Sequence, residues 1–274
     1  ETGIASIGTV SVIDLGSGTV TTEIEVGLHP SGMALSPDGS LLYVANANSD
    51  TISVIETASD SNQRTLGAKP MESLPFGSAP NALCVSPDGT TLYIANGGNN
   101  LIGVMDIASG KMRGLIPTGW YPGAVKTANG GAMICVANIK GLGTHNTEAN
   151  IQRKEQMAGK NWHGFNSHDY MGSVNFIATP GPEELQEHTY RAACNMRLPL
   201  MAEVMNLPQA DRKAVPVPTQ PGEVSVFKHV LYIIKENRTY DQVFGDMPQG
   251  DGDPSLCMFG REVTPQPPCV GRGV

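Results

Sequence analysis

The first half of the chain is built from an internal repeat, which limits the possible folds more than any other feature. The segment HPSGMALSPDGSLLYVANANSDTISVIE, from His29, returns as APNALCVSPDGTTLYIANGGNNLIGVMD, from Ala79, at an offset of 50 residues. A third copy from Tyr121 keeps CVAN, and the opening GTVSVID lies 42 residues before DTISVIE. The basic period is therefore 42 residues, and one copy is expected to carry an eight-residue insertion between Ser59 and Glu72.

Each copy of the repeat predicts short β-strands joined by tight turns. The tripeptide Pro-Asp-Gly supplies a turn in which Asp bonds to nearby backbone and Gly tolerates a positive φ. The runs on either side alternate or stay apolar, as strands do. Four short strands per copy match the period of a β-propeller blade, and the helical periodicity of a solenoid is missing. The content of 32 Gly and 20 Pro also favours strands and turns.

These copies resemble the YVTN-type β-propeller repeat, because YVAN and YIAN occupy the place of its signature. The resemblance implies a mainly-β, partial propeller over residues 1–180. The expected blades are, in chain order, 4–28 (two strands), 29–75, 79–118 and 120–138 (the start of a blade). The last blade should continue at Gly172–Pro180. A closed propeller needs at least four blades, so we expect further blades outside this sequence, which opens with Glu; the alternative is an open arc with exposed edges.

A polar insertion separates two strands of the last predicted blade. It covers residues 139–171 and carries His145, His163 and His168. A metal site and a surface loop with solvated histidines are both compatible with this composition. The spacings match no recognised ligand pattern, which favours the surface loop.

A helix and a Pro-rich linker are predicted at residues 181–222. Pro182 followed by two glutamates is typical of a helix start, and apolar residues then share one face as far as Arg197. After Leu207 the segment PQADRKAVPVPTQPGE predicts an extended, semi-rigid connector. We therefore place a domain boundary near residue 222.

The segment VLYIIKENRTYDQVFGD, from Val230, predicts an apolar strand, a polar turn and a short helix. Glu236 and Asn237 follow the strand, where ligands of open α/β sheets bind. Such an oxygen-rich pair suits a divalent cation that contacts a phosphoryl oxygen. The alternative is a capped turn in which Asn237 and Asp241 satisfy backbone groups.

The longer segment IIKENRTYDQVFGDMPQGDGDPSLCMFGREVTP resembles the start of a bacterial phosphoesterase domain, related to acid phosphatases and phospholipases C of the alkaline phosphatase superfamily. In that family the domain often follows a YVTN-type propeller. The resemblance implies that residues 223–274 are the truncated start of the α/β domain, with its first strand, and that Glu236 and Asn237 bind a divalent metal ion. Asp241, Asp251 and Asp253 receive no role from it, and GDGDP is interpreted as a turn.

The same resemblance implies a parent protein that hydrolyses phosphate esters. Family members take the nucleophile and the remaining ligands from later segments, so this chain alone is expected to be catalytically incomplete. The family is usually exported, which implies a periplasmic or secreted protein, although no signal-peptide pattern is present here. The last residues, 266–274 with Cys269, break the family pattern, and a shifted reading frame would restore it; we interpret them as a frameshifted tail.

Composition excludes some partners and leaves one alternative function. The net charge of −8 and the absence of a basic patch argue against nucleic acid, and no apolar stretch is long enough for a membrane span. Five scattered cysteines predict no disulfide framework. The alternative is a non-enzymatic propeller that binds a protein or ligand on its face or acts as a scaffold. It predicts no metal response to Glu236→Ala.

Overall fold

The structure, a computed structural model, describes most of the repeat region and parts of the C-terminal region. The described residues are 7–72, 74–141, 171–205, 214–217, 223–231, 238, 240–248, 250, 252–260 and 263. Contacts divide the chain into two units. The first unit is Glu1–Thr147 with Tyr170–Glu203, and the second is Glu148–Asp169 with Val204–Val274. The predicted insertion histidines His145, His163 and His168 lie outside the described residues.

The first unit consists mainly of antiparallel β-sheets, each made from consecutive strands. Sheet 1 contains β1 (Gly8–Asp14) and β2 (Thr19–Val26). Sheet 2 contains β3 (Pro30–Leu35), β4 (Leu41–Asn46), β5 (Thr51–Glu56) and β6 (Ser61–Gly67). Sheet 3 contains β7 (Pro80–Val85), β8 (Thr91–Asn96), β9 (Leu101–Asp106) and β10 (Lys111–Pro117). Sheet 4 contains β11 (Trp120–Ala128), β12 (Met133–Gly141) and β13 (Ser173–Ala178). None of these sheets closes on itself.

The repeat fixes the strand register. Tyr43 faces Val54 across β4 and β5, and Tyr93 faces Val104 at the corresponding place in sheet 3. In sheet 4, Cys135 faces Phe176 across β12 and β13. The strand predicted at Gly172–Pro180 is therefore confirmed as the partner of β12. Residues one repeat apart occupy equivalent positions, so their surroundings can be compared directly.

Three apolar layers lie between successive sheets and form the core. Sheets 2 and 3 each have an apolar layer on both faces, so their central strands are almost entirely buried, as β8 is. Between sheets 1 and 2 the layer contains Ile24, Val26, Val44 and Ile55. Between sheets 2 and 3 it contains Tyr43, Ala45, Ile52, Val54, Leu83, Leu92, Ile94 and Met105. Between sheets 3 and 4 it contains Cys84, Tyr93, Ala95, Ile102, Val104, Ile116, Val125, Ile134 and Val136.

The predicted Pro-Asp-Gly turns are confirmed in both copies. Asp38 accepts hydrogen bonds from the Ser36 hydroxyl at 2.5 Å and from the Ser40 backbone N–H at 3.1 Å, while Gly39 adopts a φ of +72°. The Asp88 turn repeats these contacts. The Ser36 hydroxyl and the Ser40 donors hold the pKa of Asp38 at about 2, below its ordinary value of 3.8. Each turn therefore favours an ionised aspartate.

Acid should remove this contribution from the Asp38 turn. Because the folded-state pKa is depressed, the stabilisation is present above the ordinary pKa and is lost as the pH falls toward about 2. We expect Asp38→Asn to lower the free energy of unfolding near neutral pH and to have no effect once the pH is below the folded-state pKa of Asp38, about 2. Urea unfolding of both proteins across this range measures the difference. Glu25→Gln, an exposed carboxylate on β2, is the control. If the difference in unfolding free energy between Asp38→Asn and the unsubstituted protein stays constant with pH, the stabilisation does not come from the ionised Asp38 carboxylate.

Two helices follow sheet 4. α1 spans Pro182–Asn195, and α2 spans Leu198–Met205. The helix predicted from Pro182 is confirmed, but it ends two residues before Arg197, whose φ of +57° is incompatible with a continuing helix. The sequence patterns did not predict α2. No helix among the described residues is long and apolar enough to cross a bilayer.

α1 packs on β10, the outer strand of sheet 3. The Thr189 hydroxyl accepts a hydrogen bond of 2.9 Å from the backbone N–H of Leu115, next to an irregularity in the β9–β10 register. Leu185 joins the apolar layer between sheets 3 and 4, and Ala192 packs with Leu115. Gly114 permits this approach, because a Cβ there would lie 2.5 Å from the Leu185 Cγ. The edge strand is thus covered, which limits unwanted strand pairing.

The repeat insertion lies in the segment between β6 and β7, residues 68–79, which extends beyond the predicted window at Glu72. Only residues 118 and 119 connect the equivalent strands β10 and β11. Asp50 anchors the longer segment: its buried carboxylate accepts hydrogen bonds from the backbone N–H groups of Gly77, Ser78 and Ala79, at 2.8, 3.1 and 3.0 Å. The hydrogen bonds to Asp50 therefore fix the C-terminal end of the inserted segment.

Of the strand predicted over Val230–Ile234, only Val230 and Leu231 are described, so the strand stays a prediction. The described residues 223–231 contain no strand, only an isolated parallel bridge between Val215 and Ser225. Val230 and Leu231 are 82 % and 86 % exposed. Residues 266–274, interpreted as a frameshifted tail, lie outside the described residues, as does Cys269.

Candidate functional site

The two predicted metal ligands, Glu236 and Asn237, lie outside the described residues. The described chain resumes at Arg238, whose guanidinium carbon lies 4.9 Å from the centre of the Phe259 ring. Such a cation–π contact connects the residue after Asn237 to a segment twenty residues later. Arg238, the residue that follows Asn237, therefore contacts another segment of the second unit.

The predicted short helix is confirmed as α3, Tyr240–Phe244. Asp241 lies in the first turn of this helix, and its Oδ1 accepts a hydrogen bond of 2.8 Å from the backbone N–H of Asp253. The Gln242 carbonyl accepts two more, from the N–H groups of Met258 and Phe259, at 2.9 Å each. These contacts fold residues 240–260 back on the helix.

The GDGDP segment has a turn at its end, as the sequence predicted. Asp253 caps the single-turn 3₁₀ helix Pro254–Leu256, because its Oδ1 accepts hydrogen bonds from the Ser255 N–H at 2.9 Å and from the Ser255 hydroxyl at 2.6 Å. Asp241 and Asp253 thus both bind backbone groups. Their carboxylates serve the local fold, as expected for aspartates in turns. Asp251 lies outside the described residues.

Within the described part of the chain, no group of three or more His, Cys, Asp and Glu side chains is placed to hold a metal ion. The described cysteines, Cys84, Cys135, Cys194 and Cys257, are free thiols. Cys84 and Cys135 lie in β7 and β12, and Cys84 is buried, as expected for a small apolar residue. The described residues therefore supply neither a metal cluster nor a disulfide.

A cavity in the first unit is the second candidate site. Its volume is about 620 Å³, within the range of small-molecule sites. The inserted segment, the turn after β8, the end of β10 and the end of α1 surround it. The lining residues are Leu74, Pro75, Gly98, Asn99, Asn100, Leu101, Pro117, Thr118, Trp120, Ala192, Asn195, Met196 and Met201. None of these is charged.

Backbone contacts hold the cavity walls in place. Asn100 has a φ of +58° and accepts, through its Oδ1, a hydrogen bond of 2.8 Å from the Tyr121 N–H, next to Trp120. The Thr118 N–H donates to the Asn100 carbonyl at 3.1 Å. Asp50 holds the end of the inserted segment, whose Leu74 and Pro75 also line the cavity, at Gly77. Hydrogen bonds in turns therefore support the cavity walls.

The polar groups of the cavity are amides and one hydroxyl. Asn99, Asn100 and Asn195 contribute amides and Thr118 a hydroxyl. The Oδ1 of Asn99 is buried and has no hydrogen-bond partner among the described residues. Trp120 is 42 % exposed, so part of its indole is open to solvent. Sequence reasoning missed this site, although the inserted residues after β6 were its signal.

Comparisons with known proteins add little to this picture. No family model and no curated protein matches the chain. Among solved structures, the chain is similar to Kuenenia stuttgartiensis hydrazine synthase, with 29 % sequence identity and a TM-score of 0.42. The match covers 47 % of this chain and 36 % of that chain, so this chain spans little more than a third of its length. The likeness is too low to transfer either a fold or an activity.

Proposed function

We propose that this chain is part of a metal-dependent phosphoesterase that carries a β-propeller, and that Glu236 and Asn237 bind its divalent cation. The observation that carries the proposal is the segment KENRTYDQ, followed by a folded helix and turn. The resemblance implies Glu236 and Asn237 as the ligands, while the neighbouring carboxylates of Asp241 and Asp253 bind backbone N–H groups.

The chemistry of the pair supports a hard or borderline cation. A carboxylate and an amide carbonyl both present oxygen, which such cations prefer. A cation held there would neutralise charge on a phosphoryl oxygen and favour a nucleophile. By resemblance, the nucleophile and the other ligands come from later segments, and the protein is periplasmic or secreted. This chain alone is therefore catalytically incomplete in the proposal.

The propeller part of the proposal is supported by residues at equivalent repeat positions. Ile55 in sheet 2 is 1 % exposed because sheet 1 covers it, whereas Ile13, one repeat earlier, is 54 % exposed. At the other end, Val54 is 1 % exposed and Phe176, in the same register position, is 70 % exposed. Further sheets of the same repeat would cover both residues, as the next blades of a propeller do.

A version of the protein that continues past Val274 tests the proposed function. We expect hydrolysis of p-nitrophenyl phosphate that a chelator abolishes and a divalent cation restores. Glu236→Ala and Asn237→Ala should each weaken the apparent metal affinity by about ten- to a hundredfold. The matched control, Glu25→Ala, should change neither the affinity nor the rate.

Two results would overturn this proposal. The coding sequence after Val274 could lack a phosphoesterase domain, or the metal response could survive both substitutions. Either result leaves the non-enzymatic binding or scaffolding module as the better interpretation of the repeat region.

A further inference from the structure

We infer that the cavity beside Trp120 binds an uncharged saccharide. The inference concerns residues of the first unit only and does not depend on the proposed phosphoesterase activity. The relevant features are the partly exposed indole, the uncharged lining and the group of amides around it.

The uncharged lining argues against a phosphate ester as the ligand of this cavity. A phosphate ester carries negative charge and is usually bound by Lys, Arg, a metal ion or a helix N-terminus. None of the lining residues is charged, and the chain as a whole is acidic with a net charge of −8. An anionic ligand would lose its hydration here without gaining an ion pair. The cavity is therefore not a second phosphate site.

A purely apolar ligand also fits the lining poorly. It would cover the exposed amide of Asn195 and the hydroxyl of Thr118 without replacing their hydrogen bonds to water. Each buried polar group left without a partner costs about 1–3 kcal/mol. The ligand must therefore combine an apolar surface with several uncharged hydrogen-bonding groups.

A saccharide meets both requirements. The C–H face of a sugar ring can lie on the Trp120 indole, and each ring hydroxyl both donates and accepts. An amide also has both functions, so a sugar hydroxyl can pair with either end of it. Asn195, which is exposed at the end of α1, offers both functions to a ligand hydroxyl.

Tryptophan fluorescence of the whole chain provides the test. The chain has two tryptophans, so Trp162→Phe leaves Trp120 as the single indole reporter. The probes are neutral trisaccharides of glucose and of N-acetylglucosamine, a phosphorylated sugar, and a proline-rich peptide. We expect a saturable fluorescence change with at least one neutral trisaccharide and none with the other two probes.

Substitutions then locate the binding. Calorimetry should show about tenfold weaker binding for Trp120→Ala, and weaker binding for Asn195→Ala, an exposed residue whose loss the fold tolerates. Phe76→Ala is the matched control, because Phe76 is an exposed aromatic of the same inserted segment that does not line the cavity. Circular dichroism checks that each variant is folded.

Several results would overturn the inference. One is the absence of a saturable response to any neutral trisaccharide. Another is binding by Trp120→Ala and Asn195→Ala that is as tight as binding by the unsubstituted protein. A third is preferential binding of the peptide or the phosphorylated sugar. No metal ion or phosphate ester hydrolysis enters the assay, so its failure and the failure of the proposed phosphoesterase can be told apart.

Discussion

Asp50→Gly is expected to lower the free energy of unfolding by about 4 kcal/mol, because three backbone N–H groups lose their only charged acceptor. The carboxylate is buried, and it fixes Gly77, Ser78 and Ala79 at the end of the inserted segment. Glycine is the informative replacement. Asp50 has a φ of +51°, which glycine adopts without strain, so the replacement adds no backbone clash.

The repeat supplies a matched control for this experiment. Asn100 occupies the equivalent position with a φ of +58°, but its side chain accepts from one N–H, that of Tyr121, at 2.8 Å. Asn100→Gly should therefore cost only about 1 kcal/mol. Urea unfolding followed by circular dichroism compares the two. Equal losses would show that the three contacts to Asp50 do not stabilise the fold as their geometry implies.

Gly114→Ala is expected to lower the free energy of unfolding by about 2–3 kcal/mol through crowding between β10 and α1. The added methyl group would lie 2.5 Å from the Leu185 Cγ and 2.8 Å from the Thr189 hydroxyl. One of the two elements must move, and the hydrogen bond from Leu115 to Thr189 should be lost. Hydrogen exchange along α1 should become faster in the variant.

A double-substitution cycle separates crowding from other effects of Gly114→Ala. Truncation by Leu185→Ala makes room for the new methyl group, so the combined variant should be more stable than the sum of the two single losses predicts. Gly67→Ala, in β6, where an added Cβ would lie 3.7 Å from the Glu72 Oε1, is the control for the intrinsic effect of glycine replacement in a strand. Purely additive losses would contradict the packing explanation.

The repeat made much of the fold predictable. Strand register follows from the period, and the Asp38 turn follows from local hydrogen bonding, so both could be inferred from neighbouring residues. The packing of α1 on β10 could not. It depends on Gly114 and Leu185, which are 71 residues apart and belong to no common pattern. Long-range contacts of this kind leave no periodic signal.

The two candidate sites also differ in how far the sequence could predict them. Glu236 and Asn237 were identified from a resembling segment, and as metal ligands they stay a prediction, because they lie outside the described residues. The cavity beside Trp120 had no motif at all. Its walls come from five separate segments that the fold brings together, and only the interruption of the 42-residue period marked one of them.

The segment between β6 and β7 has a consequence for how such a protein can diverge. Its ends are tied to the sheets by Asp50 and by the strands themselves, so residues can be gained or lost between them at a small entropic cost. Changes in its length would alter the shape of the neighbouring cavity while the sheets keep their register. Binding preference and folding can therefore evolve almost independently in this chain.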